Sequence, residues 1–246
     1  MPKSGLLYGL FLLPLQVDMN FPAVCITIFL FVRFALPVKG AAAFGVTDFG
    51  YSRTEGAASF DAQVDFPVEG SAAVMRSVRE WICGVLEIES PGAMDGMLFK
   101  DLLKRSAMQF LTQTDRGSRK VEITWSFEDP QCVTFQSVIT DRDSVTWISE
   151  DCASFSKKDG HRITAAEIFS CSEAQVKQLM WQFRADLPME AAGPGELYVG
   201  NAGFIDGWIV VIGPARNHSG AAYKIRYQAA EPWLQAHGKG GGYYHD

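Results

Sequence analysis

Between residues 59 and 67 the chain reads SFDAQVDFP, with Phe60, Ala62, Val64 and Phe66 alternating with polar positions. A period of two places one face of a strand in a core, and Pro67 is expected to close it. TDFGYSR, just upstream, reads as a partner strand. After Gly70-Ser71 the period changes: Val74, Val78, Trp81, Ile82, Val85 and Leu86 recur at three- and four-residue intervals, the mark of a helix with one buried face, and Ser71 can cap it. A second helix follows the SPGAMDG break, with Phe99, Leu102, Leu103, Phe110 and Leu111 on one side, and ends by Asp115-Arg116-Gly117. The period then returns to two. RKVEITWSF puts Val121, Ile123, Trp125 and Phe127 on one face, and CVTFQSVIT and SVTWISEDCASFS flank Asp141-Arg142-Asp143-Ser144, so a meander of antiparallel strands is expected. Lys157-Lys158-Asp159-Gly160 is a tight turn, and Thr164 with Glu167 forms a capping box for the short helix AAEIF. These periods predict an α+β fold, with helices packed on a largely antiparallel sheet. Its N-terminal part (about 46 to 115) and C-terminal part (about 119 to 235) should share a core that buries Trp81 and Phe183.

The first 43 residues follow another pattern. Two apolar runs, LLYGLFLLPLQV and FPAVCITIFLFV, are separated by Asp18-Met19-Asn20, and the second leads into LPVKGAAAFG. Ala41 and Ala43 stand where a signal peptidase reads small residues, which points to cleavage after Ala43 and a mature chain beginning at Phe44. Met19 as the start would remove the surplus first run. The rival reading is an uncleaved anchor, although each run falls short of the roughly 20 residues that span a bilayer. The chain thus divides into a signal peptide or N-terminal anchor (1–43), a strand-helix part (44–117), a C-terminal part (118–235) and a flexible tail (236–246). Its expected location is periplasmic or secreted, the alternative being membrane-anchored and facing outside the cytoplasm.

Charge narrows the function. A net charge of −6 with no basic stripe argues against nucleic acid: Arg116, Arg119 and Lys120 are followed by Glu122, Glu128 and Asp129. Without the leader and Cys25, the cysteines are Cys83, Cys132, Cys152 and Cys171, an even number with no metal-site spacing. They are either paired or buried free thiols. A short loop at Asp141–Ser144 would bring Cys132 opposite or nearly opposite Cys152 as a cross-strand bridge; the competing pairing is Cys152 with Cys171.

No catalytic constellation emerges. His161 follows the turn glycine and reads as a solvated strand residue, His218 lies in the loop ARNHSGAAY, and His237 and His245 belong to the tail. Neither G-x-S-x-G nor H-E-x-x-H occurs. Asp141, Asp143, Glu150 and Asp151 could pair as glycosidase carboxylates, but spacing along a hairpin does not give their separation in space, and a solvated hairpin end is the preferred reading. No cofactor and no metal are expected.

FSKKDGHRITAAEIF, with an aromatic, a basic turn ending in Gly, a basic strand residue, Ile-Thr and a short acidic helix closing in Phe, resembles the RsiV-type extracytoplasmic domain, domain of unknown function 3298. The resemblance continues through SEAQVKQLMWQF and GFIDGWIVVIGPARNHSGAAYKIRYQAAEPWL, and upstream through ASFDAQVDFPVEGSAAVMRSVREWI. It covers most of residues 51 to 235. That family occurs in lysozyme-sensing anti-sigma factors, in some peptidoglycan deacetylases and in stand-alone envelope proteins. The resemblance therefore implies a non-enzymatic envelope binding or sensing module whose partner is a protein such as lysozyme or a cell-wall component. The alternatives are an envelope glycan hydrolase using surface carboxylates and a purely structural envelope protein. One departure bears on recognition. Members commonly carry Gly-Gly-Ala-His between the two strands before the basic turn, where this chain reads TDRDSVTWISED. The candidate partner surface is that hairpin end, with Asp141, Arg142 and Asp143 supplying charge and Trp147 the apolar contact; on the other reading Trp147 is core. The loop carrying Arg216, Asn217 and His218 is the next candidate.

Overall fold

The computed structural model describes residues 43–90, 95–183, 193–214, 220–230, 234 and 243–244. Residues 1–42, the Arg216–His218 segment and most of residues 236–246 lie outside the described residues.

The fold is α+β. Strands β1 (Gly45–Glu55) and β2 (Ala57–Glu69) form an antiparallel hairpin; helices α1 (Ala72–Val85) and α2 (Gly96–Gln113) follow, then β3 (Arg116–Glu128), β4 (Cys132–Arg142), β5 (Thr146–Ser156) and the short β6 (Arg162–Ile163). These strands make one sheet in sequence order, antiparallel except where β3 runs parallel to β2. Helices α3 (Ala165–Phe169) and α4 (Glu173–Gln182) lead to a second, three-stranded antiparallel sheet of β7 (Ala202–Ile205), β8 (Trp208–Pro214) and β9 (Gly220–Arg226). A one-turn helix α5 (Tyr227–Ala230) comes next, and β10 (Tyr243–Tyr244) adds to the end of β3.

The local chemistry explains these boundaries. Ser71 accepts from the Val74 amide and Asp95 from that of Leu98, capping α1 and α2. Thr164 with Glu167, and Ser172 with Gln175, form complete capping boxes for α3 and α4. Gly160 takes the positive φ (+76°) of the basic turn, and a Cβ there would sit 2.6 Å from the Ala73 carbonyl, so only glycine lets this turn rest on the start of α1.

Two cores result. The first lies between the α1/α2 layer and the main sheet and contains Phe60, Phe66, Val78, Ile82, Phe99, Leu103, Ile123, Phe135 and Phe155. It draws on both sides of the 117/118 division, which falls just inside β3. The second, on the opposite face, joins Phe127 and Cys132 to α3, α4 and β7–β9 through Ile168, Phe169, Met180, Phe204 and Ile209. The C-terminal part therefore has a core of its own beside the shared one.

Four expectations are corrected. Pro67 does not end β2, which runs on to Glu69. Phe127 does not share a face with Val121, Ile123 and Trp125: a bulge at Ser126 shifts the register so that Trp125 opposes Phe135 while Phe127 opposes Thr134. Its ring consequently packs on Phe204, 4.6 Å between centroids, in the second core. Trp81 is buried, but Phe183 sits at the C-cap of α4 and is only half-buried. Finally, Cys132 and Cys152 do not meet. The turn Asp143–Val145 sets Arg142 against Thr146, so Cys132 opposes Ser156 and Cys152 opposes Gln136. Four strand positions are roughly 13 Å, well beyond the reach of a disulfide. Cys83, Cys132, Cys152 and Cys171 are all free, which also removes the Cys152–Cys171 alternative.

Candidate functional site

The β4–β5 hairpin ends at the edge of the main sheet, since β6 covers β5 only at Ser154 and Phe155. Its charges are organised by β3. Arg119 grips Asp141 with two parallel bonds, Nε to Oδ1 at 2.8 Å and Nη2 to Oδ2 at 2.9 Å, and its guanidinium also lies over the Phe110 ring. Arg116 pairs with Asp143 at 3.1 Å. Arg142 is exposed and makes no ion pair among the described residues. Of the three candidate charges, Arg142 alone is thus without an ion-pair partner among the described residues. Trp147 is not core: it is 58% exposed, with Val145 at 56% and Ile148 at 54%. Trp147 and Ile148 point to opposite faces of the sheet, so the hairpin end is apolar on both. The sequence reading passed over Val145 and Ile148; the signal was the run of apolar residues Val145, Trp147 and Ile148 at the turn and start of β5.

Of the proposed carboxylates, Asp141 and Asp151 stand too far apart to act as a pair, and Asp141 and Asp143 are each engaged by an arginine. Asp141 opposes Trp147, four positions along β5 from Asp151, a backbone separation of roughly 13 Å, whereas glycosidase carboxylates stand about 5 to 9.5 Å apart. Asp151 is also occupied: it accepts the Trp81 indole N–H at 3.2 Å, the Asn201 amide at 2.8 Å and the Cys152 backbone N–H at 2.9 Å. It ties α1 and the residue before β7 to β5.

Beside Asp151 a cleft of about 650 Å³ opens between α1 and the sheet. Glu80, Trp81 and Gly84 form its helix wall, Ser137, Ser149 and Asp151 its floor, and the Gly160–Arg162 turn closes one end. His161 stands at that end with both ring nitrogens facing carboxylates, Nδ1 at 2.7 Å from Asp159 and Nε2 at 3.2 Å from Glu167. The bond to Asp159 is the main reason its pKa is raised, and Glu167 adds to it. The His161 bond in turn holds Asp159 down to about 2, while Glu167 is lowered chiefly by the Thr164 backbone N–H. Among the described residues no three His, Cys, Asp or Glu side chains converge as metal ligands. Arg216, Asn217 and His218 lie outside the described residues.

No family model matches the sequence, and no curated protein matches it. Among solved structures, a member of the DUF3298 family from Bacteroides fragilis superposes with a TM-score of 0.53 over 81% of this chain and 96% of its own, at 11% identity. The chain has the DUF3298 fold. A second DUF3298 protein, from Pseudomonas aeruginosa, aligns over 79% of this chain and 95% of its own at 8% identity and a TM-score of 0.48. Among the described residues no helix is long and apolar enough to cross a membrane.

Proposed function

We propose that this DUF3298-fold protein is an exported, non-enzymatic binding module of the cell envelope that captures a protein partner with the end of the β4–β5 hairpin. The observation that carries the reading is the group Val145, Trp147 and Ile148, each more than half exposed at the end of a hairpin in which β4 holds the β5 backbone and Arg119 and Arg116 hold Asp141 and Asp143. A rigid aromatic and aliphatic cluster rimmed by charge is what a binding hot spot requires, because little conformational freedom is lost on contact. Lysozyme is the first partner to test, with peptidoglycan fragments as the cell-wall alternative. Export rests on the leader, with Phe44 as the first mature residue.

The test is surface capture of lysozyme and of solubilised peptidoglycan by the native protein, by Trp147→Ala, and by the Arg142→Ala/Asp143→Ala double variant. Both variants should weaken capture by roughly tenfold or more with thermal stability nearly unchanged. Full capture by both would remove the hairpin end and direct attention to Arg216–His218. Intact mass of the native species should place the first residue at Phe44, and residues before Ala41 would overturn cleavage there.

A further inference from the structure

The cleft between α1 and β5 has a chemistry distinct from the hairpin end, and we infer that it is a binding site for a neutral, hydroxyl-rich ligand, a short saccharide chain. Its charges decide the class. Glu80 and Asp151 bring negative charge and Arg162 positive, while any charge on His161 is met by Asp159 and Glu167. No excess of cations awaits a phosphate or carboxylate. The oxygens of Asp151 are already taken by Trp81, Asn201 and the Cys152 amide, which leaves a poor cation site. What remains is an acceptor at Glu80, donors at Arg162, and hydroxyls on Ser137 and Ser149 that act as either, a set suited to sugar hydroxyls. Among the described residues neither Glu80 nor Arg162 makes an ion pair. The volume lies within the range of small-ligand sites, and Val85, Ile139 and the indole of Trp81 give it the apolar lining such sites share.

The site also has a direction. Asp151 and Ser149 line the floor, and by strand alternation Trp147 lies on the same face two positions further on. A chain following β5 out of the cleft would reach that exposed indole, whose flat face suits the C–H face of a pyranose ring. The inference goes beyond the hairpin-capture reading and stands without it.

Gly84 makes the test clean. It is exposed on the cleft wall, and a Cβ there meets nothing within 4 Å, so Gly84→Phe should fold while filling the cleft; leaving glycine also favours the helix. Calorimetric titration of the full chain with cello-, chito- and malto-oligosaccharides should show at least one series binding with a Kd below about 1 mM. Gly84→Phe should weaken it by roughly tenfold or more, as should Arg162→Ala, while Arg142→Ala/Asp143→Ala leaves it unchanged. The site would be overturned by no series binding, by undiminished binding by Gly84→Phe with an unaltered melting temperature, or by inorganic phosphate binding in place of the sugars. Loss in the Arg142/Asp143 variant with retention in Gly84→Phe would move the ligand to the hairpin and likewise overturn it.

Discussion

His161 is held by two carboxylates, one from its own turn and one from the capping box of α3, so its protonated form bridges Asp159 to Glu167. A histidine whose folded pKa lies above the unfolded value of about 6.5 contributes its stabilisation in full below that value and loses it as pH rises through the folded pKa. Asp159 acts at the other end: its contribution is present above about pH 3.9 and is lost as pH falls through about 2. Both contribute between about pH 4 and 6.5. The side chains are half exposed, so the effect is small. The melting temperature of the native protein should fall relative to that of His161→Ala as pH rises from about 6 to 8; parallel curves would mean the bridge contributes nothing. The histidine that reads in sequence as a solvated strand residue is solvated, yet it also ties the turn to the next helix.

At the scale of elements, strand register decides the state of the thiols. Burial raises Cys132 and Cys152 well above the ordinary thiol range, the acids Asp129 and Asp151 adding to it respectively, whereas Cys171 is half-buried. A thiolate is the reactive form, so an alkylating reagent should modify Cys171 first and reach Cys132 and Cys152 only on unfolding. A Cys132–Cys152 cross-linked peptide in a non-reducing digest would contradict the register. What sequence could show of these elements was whatever depends on near neighbours. The alternation of Phe60, Ala62, Val64 and Phe66 and the three- and four-residue spacing from Val74 to Leu86 place both elements, with Ser71, Thr164 and Glu167 marking where helices begin. The bulge at Ser126 was not legible, because Thr124-Trp125-Ser126-Phe127 keeps a regular alternation and only a partner strand reveals the extra residue. The parallel pairing of β2 with β3 joins segments separated by two helices, beyond the reach of local pattern. The cleft escaped for a related reason: Ser77, Glu80 and Gly84 look like the wet face of α1 until Ser149 and Asp151 are set opposite them.

For the whole molecule, the main sheet is common property of the two cores. Phe135 and Phe155 project from it into the first, Phe127 and Cys132 into the second. The small sheet lies so close that a Cβ at Gly203 would be 2.6 Å from Thr134 Cγ2 and 3.4 Å from Cys152. Thr134 has little freedom to retreat: it is fully buried and shares a 2.7 Å hydrogen bond with Ser154, while Ser126 Oγ reaches across to the Phe204 carbonyl at 3.0 Å. Gly203→Ala should therefore force the sheets apart and cost about 1 to 3 kcal/mol, lowering the melting temperature by roughly 2 to 4 °C per kcal/mol for a domain of this size. Separating the sheets bares the β3–β5 face that carries the second core, and because the same strands carry the first core on their other face, the loss should not stay on one side. Tryptophan fluorescence and far-ultraviolet circular dichroism should follow one coincident, down-shifted transition in the variant. Two separate transitions would show that the cores unfold independently, and an unchanged midpoint would show that the contact at Gly203 is not what holds the sheets in register.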